Sequence, residues 1–83
     1  MKKIIKTDGI ITNLMRQYKN GPDNSKNPAW AYISFQAGDR LRTSENMISV
    51  MYNSKNGQHI YVYYVEGKPE KVFKYAVTAR LFG

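Results

Sequence analysis

The segment HIYVYYVEGKPEKVFKYAVTARLFG, residues 59–83, constrains the fold more than any other stretch of the chain. Two apolar, tyrosine-rich runs flank a Gly67-Lys68-Pro69 turn, the pattern of an antiparallel hairpin. Side chains alternate across a strand, so Ile60, Val62 and Tyr64 share one face while His59, Tyr61, Tyr63 and Val65 share the other. In the second run Phe73, Tyr75, Val77, Ala79 and Leu81 are apolar, and Lys74, Ala76, Thr78 and Arg80 are mixed or polar. Pairing Glu66 with Lys71 around a four-residue loop sets Tyr64 opposite Phe73, Val62 opposite Tyr75 and Ile60 opposite Val77, which makes one face wholly apolar. A slip of one residue would place Lys74 beside Val62, at the cost of desolvating an ammonium. This register predicts Tyr64 and Tyr75 in the core. It turns Tyr61 and Tyr63 outward, near Lys74 and Arg80.

The remaining chain reads as more strands separated by turns. In AWAYISFQ (residues 29–36), Ala31, Ile33 and Phe35 alternate with Trp30, Tyr32 and Ser34. RLRT (residues 40–43) alternates charged and apolar residues like a solvated edge strand. MISVMYN (residues 47–53) is β-prone through Ile48, Val50 and Tyr52, although Ser44 followed by Glu45 and Asn46 could also start a short helix. AGDR (residues 37–40) and NSKNG (residues 53–57) read as turns, the second offering Asn56-Gly57 for positive φ. KNGPDNSKNP (residues 19–28) is a polar loop of a length often associated with function or mobility. Ile10, Ile11, Leu14, Met15 and Tyr18 fall at helical spacing after a possible Asp8 cap, but Gly9-Ile10-Ile11-Thr12-Asn13 is poor helix-forming sequence. The expected fold is therefore a single all-β domain over residues 1–83, a small five- or six-stranded barrel or a curled antiparallel sheet. The alternative is α+β, with residues 9–19 helical.

Length and composition narrow the chemistry. Eighty-three residues hold one core and bury only about 60% of the unfolded surface. The chain has no cysteine, which removes disulfides, thiolate nucleophiles and cysteine–zinc sites. The opening MKKIIKTDGIITNL starts like a signal peptide, but Lys6, Thr7, Asp8 and Gly9 break the apolar run, and no stretch approaches the length of a membrane span. A cytoplasmic address without membrane insertion is the expectation. Thirteen Lys and Arg against six Asp and Glu give a formal charge of +7, which favours anionic partners; a spread of surface lysines that keeps a small β-protein soluble is the plainer reading.

At DGIITNL, AYISF and GQHIYVYYVEGKP the chain resembles a family of small bacterial domains of unknown function, often attached to membrane helices and similar to compact β-barrels. The resemblance rests on an early Gly9-Ile10-Ile11 strand, a Tyr32-Ile33-Ser34-Phe35 strand, Gly57 ahead of Ile60-Tyr61-Val62-Tyr63-Tyr64, and Pro69. It implies a strand over residues 9–18 and a small SH3-like or OB-like barrel. It brings no catalytic residues, and this chain lacks the family's membrane helix.

Catalysis has little to stand on. His59 is the sole histidine, the acids Asp8, Asp23, Asp39, Glu45, Glu66 and Glu70 form no metal-ligand pattern, and no phosphate-cradling glycine loop or nucleophile elbow is present. Glu66 and Glu70 read as charge partners of Lys68 and Lys71. The sequence thus predicts no enzyme, no cofactor and no metal site. Basic residues interleaved with aromatics are the stronger signal, because single strands of nucleic acid bind by stacking on rings while cations neutralise phosphates. Trp30, Tyr32, Tyr61 and Tyr63 are the candidate stacking residues, and Arg40, Arg42, Lys74 and Arg80 the candidate phosphate contacts. Against this, tyrosines on a strand can serve cross-strand packing alone. The competing class is a protein-interaction module, such as a small inhibitor or assembly component of bacterial or phage type. It would present the same rings, or the loop over residues 19–28, to an acidic protein.

Overall fold

A computed structural model describes residues 2–16 and 29–83. Among them the chain forms β1 (Ile4–Arg16), β2 (Ala29–Ala37), β3 (Arg40–Thr43), β4 (Ile48–Val50), β5 (His59–Val65), β6 (Lys68–Phe73) and α1 (Ala76–Phe82). The strands build one antiparallel sheet in the order β3-β2-β1-β5-β6, curled into a half-barrel, and β4 pairs with β2. This is the curled all-β sheet that the alternation predicts. The polar loop over residues 19–28 lies outside the described residues.

β1 is the axis of the sheet. Its first half pairs with β5 (Ile4 facing Val65 through Ile10 facing His59) and its second half with β2 (Gly9 facing Phe35 through Arg16 facing Ala29). The helical alternative over residues 9–19 is overturned as far as Arg16. The β-branched Ile10, Ile11 and Thr12 fit a pleated surface, and two neighbouring ladders outweigh the helical spacing of their apolar residues. Where β1 is held on both sides, Gly9 is buried; a Cβ there would overlap Ile33 Cγ2 and press on the Ile60 carbonyl. Asn13, with φ of 50°, opens a bulge between Thr12 and Met15, and Asn56 Oδ1 accepts the Leu14 N–H at 2.9 Å.

The concave side of the curl holds the core. Ile11, Ala31, Ile33, Phe35, Val62 and Tyr64 are buried there with Ile48, Val50 and Val72, and the Phe35 and Tyr64 rings lie 5.6 Å apart in a tilted pair. Tyr64 sits where the hairpin pattern puts it, and β2 follows its alternation closely.

The hairpin register and the last strand are different from the sequence expectation. The turn is Glu66-Gly67, with Gly67 at φ of 87°, so Val65 faces Lys68. The next pair is Tyr63 with Phe73. Between these pairs β5 supplies Tyr64 alone, whereas β6 supplies Pro69 to Val72. Those residues swing away from β5 because a different segment bonds their backbone. The Glu45 N–H donates to the Glu70 carbonyl at 2.8 Å, and the Asn46 side chain clasps Val72, accepting its N–H at 2.9 Å and donating to its carbonyl at 2.8 Å. Glu66 pairs with Lys3 at 3.7 Å rather than with Lys68 or Lys71.

Beyond Phe73 the chain turns into α1 and does not continue as a strand. Consequently Tyr75, expected in the core, is exposed. Ala76, Ala79, Arg80 and Leu81 are serviceable helix formers. The helix rests on the sheet through its small residues: Ala79 is buried, and a Cβ on Gly83 would overlap Val65 Cγ2. Lys2 Nζ donates to the Arg80 and Gly83 carbonyls, a cation at the negative end of the helix.

The same Asn46 segment explains the paired edge strands. β3 and β4 lie along one edge of β2, interrupted by Ser44 to Met47. Ser44 fills the gap: its N–H donates to the Ile33 carbonyl at 2.8 Å, and its Oγ accepts the Ile33 N–H at 2.9 Å while donating to the Asn46 carbonyl at 2.8 Å. One interruption in an edge strand thus supplies the groups that reach across to β6. It is a seam made partly of side-chain bonds.

Candidate functional site

The register sorts the outward-facing residues. Since Gly9 faces Phe35 and Ile60, the neighbouring positions Lys6, Asp8, Ile10 and Thr12 lie on the convex face. Tyr63 lies beside Lys6, Tyr61 beside Asp8, and His59 beside Ile10. Lys6 Nζ stands 4.5 Å from the centroid of the Tyr61 ring, and that tyrosine is 61% exposed. Across the next ladder Tyr63 faces Phe73, whose ring lies 5.6 Å from Lys71 Nζ. Three rings and two ammonium groups therefore run as a strip over β1, β5 and β6. Next to it His59 Nδ1 meets Asp8 Oδ2 at 3.0 Å, both side chains largely solvated.

Only part of the expected constellation gathers here. Trp30, 40% exposed and opposite Met15, and Tyr32, half-buried and opposite Thr12, are on the convex face but at the far end of β1. Tyr32 and Tyr61 are offset by four residues along β1 and two strand spacings across it, about 13 Å by about 10 Å. Ile10 lies exposed between them. They form two separate aromatic positions, not one platform.

None of the four expected cations belongs to the strip. Arg40 and Arg42 pair with Ala37 and Phe35, which puts them on the concave side of β3; Arg42 is half-buried, and its Nε has no partner among the described residues. Leu41 takes the outward position. A four-residue edge strand can point its apolar residue to solvent and lay the stems of its long cations against the sheet. Lys74, expected beside Tyr63, lies past the end of β6 because Phe73 occupies that position. It lines a groove with Ile11, Val50 and Ile60. Arg80 is exposed on α1.

Lys6, Lys71 and Phe73 are what sequence reasoning missed. The signal for Lys6 was the alternation Lys6, Asp8, Ile10, Thr12, readable once residues 4–16 are taken as a strand. Lys71 and Phe73 depend on the irregular β5–β6 pairing, and no local pattern announces it.

Two further surfaces stand out. On α1 the large apolar residues Val77, Leu81 and Phe82 are 61%, 67% and 67% exposed. Beside them a recess of about 250 Å³ opens between Phe82, Val65 and Phe73, with Lys68 and Lys71 on its rim. At the barrel mouth the groove that Lys74 lines measures about 370 Å³.

Among the described residues no group of three or more acidic or histidine side chains is placed to hold a metal, and no helix is long and apolar enough to cross a membrane. Comparison with protein-family models, curated proteins and solved structures found no match.

Proposed function

We propose that this chain is a non-catalytic binding module that holds single-stranded nucleic acid on the convex face of its sheet. The observation that carries the reading is Lys6 Nζ over the exposed Tyr61 ring, with Tyr63, Phe73 and Lys71 continuing the strip. An exposed ring offers a base a stacking surface on a sheet that holds it still, and a neighbouring ammonium meets the phosphate. The formal charge of +7 draws a polyanion toward any face of the molecule; the rings supply the local preference.

The test is fluorescence anisotropy of labelled single-stranded DNA and RNA at two salt concentrations. Binding should be saturable, and its log affinity should fall against log salt by about 0.7 per phosphate neutralised. Tyr61→Ala with Tyr63→Ala should abolish most of it, since each stacked base contributes roughly 1–3 kcal/mol. Lys6→Gln should reduce the salt slope. Equal binding by the double mutant would leave charge alone as the cause and defeat the reading.

A protein-interaction module is the second reading, favoured by the exposed Val77, Leu81 and Phe82 of α1. Large apolar side chains clustered on a short helix are common anchors of protein interfaces.

A further inference from the structure

The groove that Lys74 lines opens directly onto core residues. Its floor is apolar, made by Ile11 of β1, Val50 of β4 and Ile60 of β5, and these belong to or pack against the main core. Its polar lining is Asn53, Ser54, Gln58, His59 and Lys74, of which Lys74 alone carries a fixed charge. Lys74 contributes an ammonium that lies 5.8 Å from the centroid of the exposed Tyr75 ring and, among the described residues, has no carboxylate within ion-pair distance. Gln58 accepts the Lys55 N–H through Oε1 at 3.1 Å, and its Nε2 is a donor at the groove's edge. Among the described residues no Asp or Glu lines the groove, and the one acid bonded to a lining side chain, Asp8, is engaged by His59.

An apolar floor edged by a few polar groups is the usual make-up of a small-molecule site, and about 370 Å³ falls at the lower end of the usual range. Barrel mouths are a recurring place for such sites. We infer that this groove binds a small organic monoanion, a carboxylate carried on an apolar body. The body lies on Ile11, Val50 and Ile60, and the carboxylate accepts from Lys74 Nζ and Gln58 Nε2. Charge complementarity selects this ligand over a neutral one, because only an anion gains a charge-assisted hydrogen bond from the half-buried Lys74 at the groove's edge. A cation would meet no acceptor charge at all. The groove is separate from the Lys6–Tyr61 strip, so this site stands whether or not the convex face binds nucleic acid.

The experiment is an amide chemical-shift titration of the full ¹⁵N-labelled chain with octanoate, 1-octanol and 1-naphthoate. Octanoate or naphthoate should saturate, moving the amides of Ile11, Val50, Gln58, Ile60 and Lys74. The tighter of the two identifies the body as acyl or aromatic. Octanol should bind about tenfold more weakly, the effect of one charge-assisted hydrogen bond. Lys74→Gln should bring octanoate down to the octanol level and leave octanol unchanged. Gln58→Glu, which sets a carboxylate in the lining, should expel both acids while the spectrum remains that of the folded sheet. The inference is overturned by failure of both acids to saturate, by octanol binding as tightly, by shifts centred on Tyr61 or α1, or by indifference to Lys74→Gln.

Discussion

Asn46 offers the sharpest test of how this half-barrel is held. Its amide is matched to Val72, accepting the N–H at 2.9 Å and donating to the carbonyl at 2.8 Å, and Val72 is fully buried. Asn46→Ala removes both bonds and strands two backbone groups where water has poor access. Each such group costs about 1–3 kcal/mol, so the substitution should destabilise the fold by about 2–4 kcal/mol once some water entry is allowed. A chain of this length has a total stability of about 4–12 kcal/mol, and the change should lower Tm by about 8–30 °C. Asn46→Asp refines the argument without altering size. An ionised carboxylate still accepts the Val72 N–H but opposes its carbonyl; protonated, it can donate to that carbonyl again. The folded state therefore favours the protonated form and raises the introduced carboxyl above its unfolded value of about 4. The restored stability is fully present below that unfolded value and is lost as pH rises through the folded one. Urea unfolding of parent and both variants from about pH 3 to about pH 7, followed by tryptophan and tyrosine fluorescence, reads both effects. An Asn46→Ala loss under about 0.5 kcal/mol, or an Asn46→Asp variant whose pH dependence parallels the parent, would refute the clasp.

Gly9→Ala should destabilise by about 1–3 kcal/mol in the same urea assay, because its Cβ has no room beside Ile33 and the Ile60 carbonyl. A neutral result would mean that the two ladders on β1 can part freely. Ala79→Leu should lift α1 from the sheet, since the helix meets β5, β1 and β6 where only a small side chain fits. Hydrogen exchange should then show α1 amides losing protection while those of β1, β2 and β5 keep theirs.

The sequence was legible where one periodicity served one buried face. In β2, Ala31, Ile33 and Phe35 point inward as their alternation requires, and the turn at Gly38-Asp39 follows. β1 was ambiguous because Ile10 and Ile11 are adjacent, and only the pairing with both neighbours assigns one to solvent and the other to the core. The last segment misled for a physical reason. Tyr75, Val77, Ala79 and Leu81 alternate like a strand, yet the fold buries the small Ala79 and leaves the large residues exposed. Hydrophobic patterning assumes that bulk goes inward, and a helix docked through small residues reverses it. The candidate site divided along the same line. Tyr61 and Tyr63 followed from local alternation, while their cations Lys6 and Lys71 come from strands whose positions depend on long-range pairing.

The central place of β1 also has a consequence in time. Its partner β5 lies about forty residues downstream, so at 5–20 residues per second β1 waits roughly 2–8 s after emerging before β5 has been made. During that wait β1 and β2 can associate, but the β5-facing edge of Ile4–Ile10 remains an open template. Contacts of such sequence separation form slowly, since loop closure precedes any gain from pairing. The positive charge gathered near that edge in Lys2, Lys3 and Lys6 then acts on the nascent chain, where like charges keep one unfinished sheet from adding itself to another.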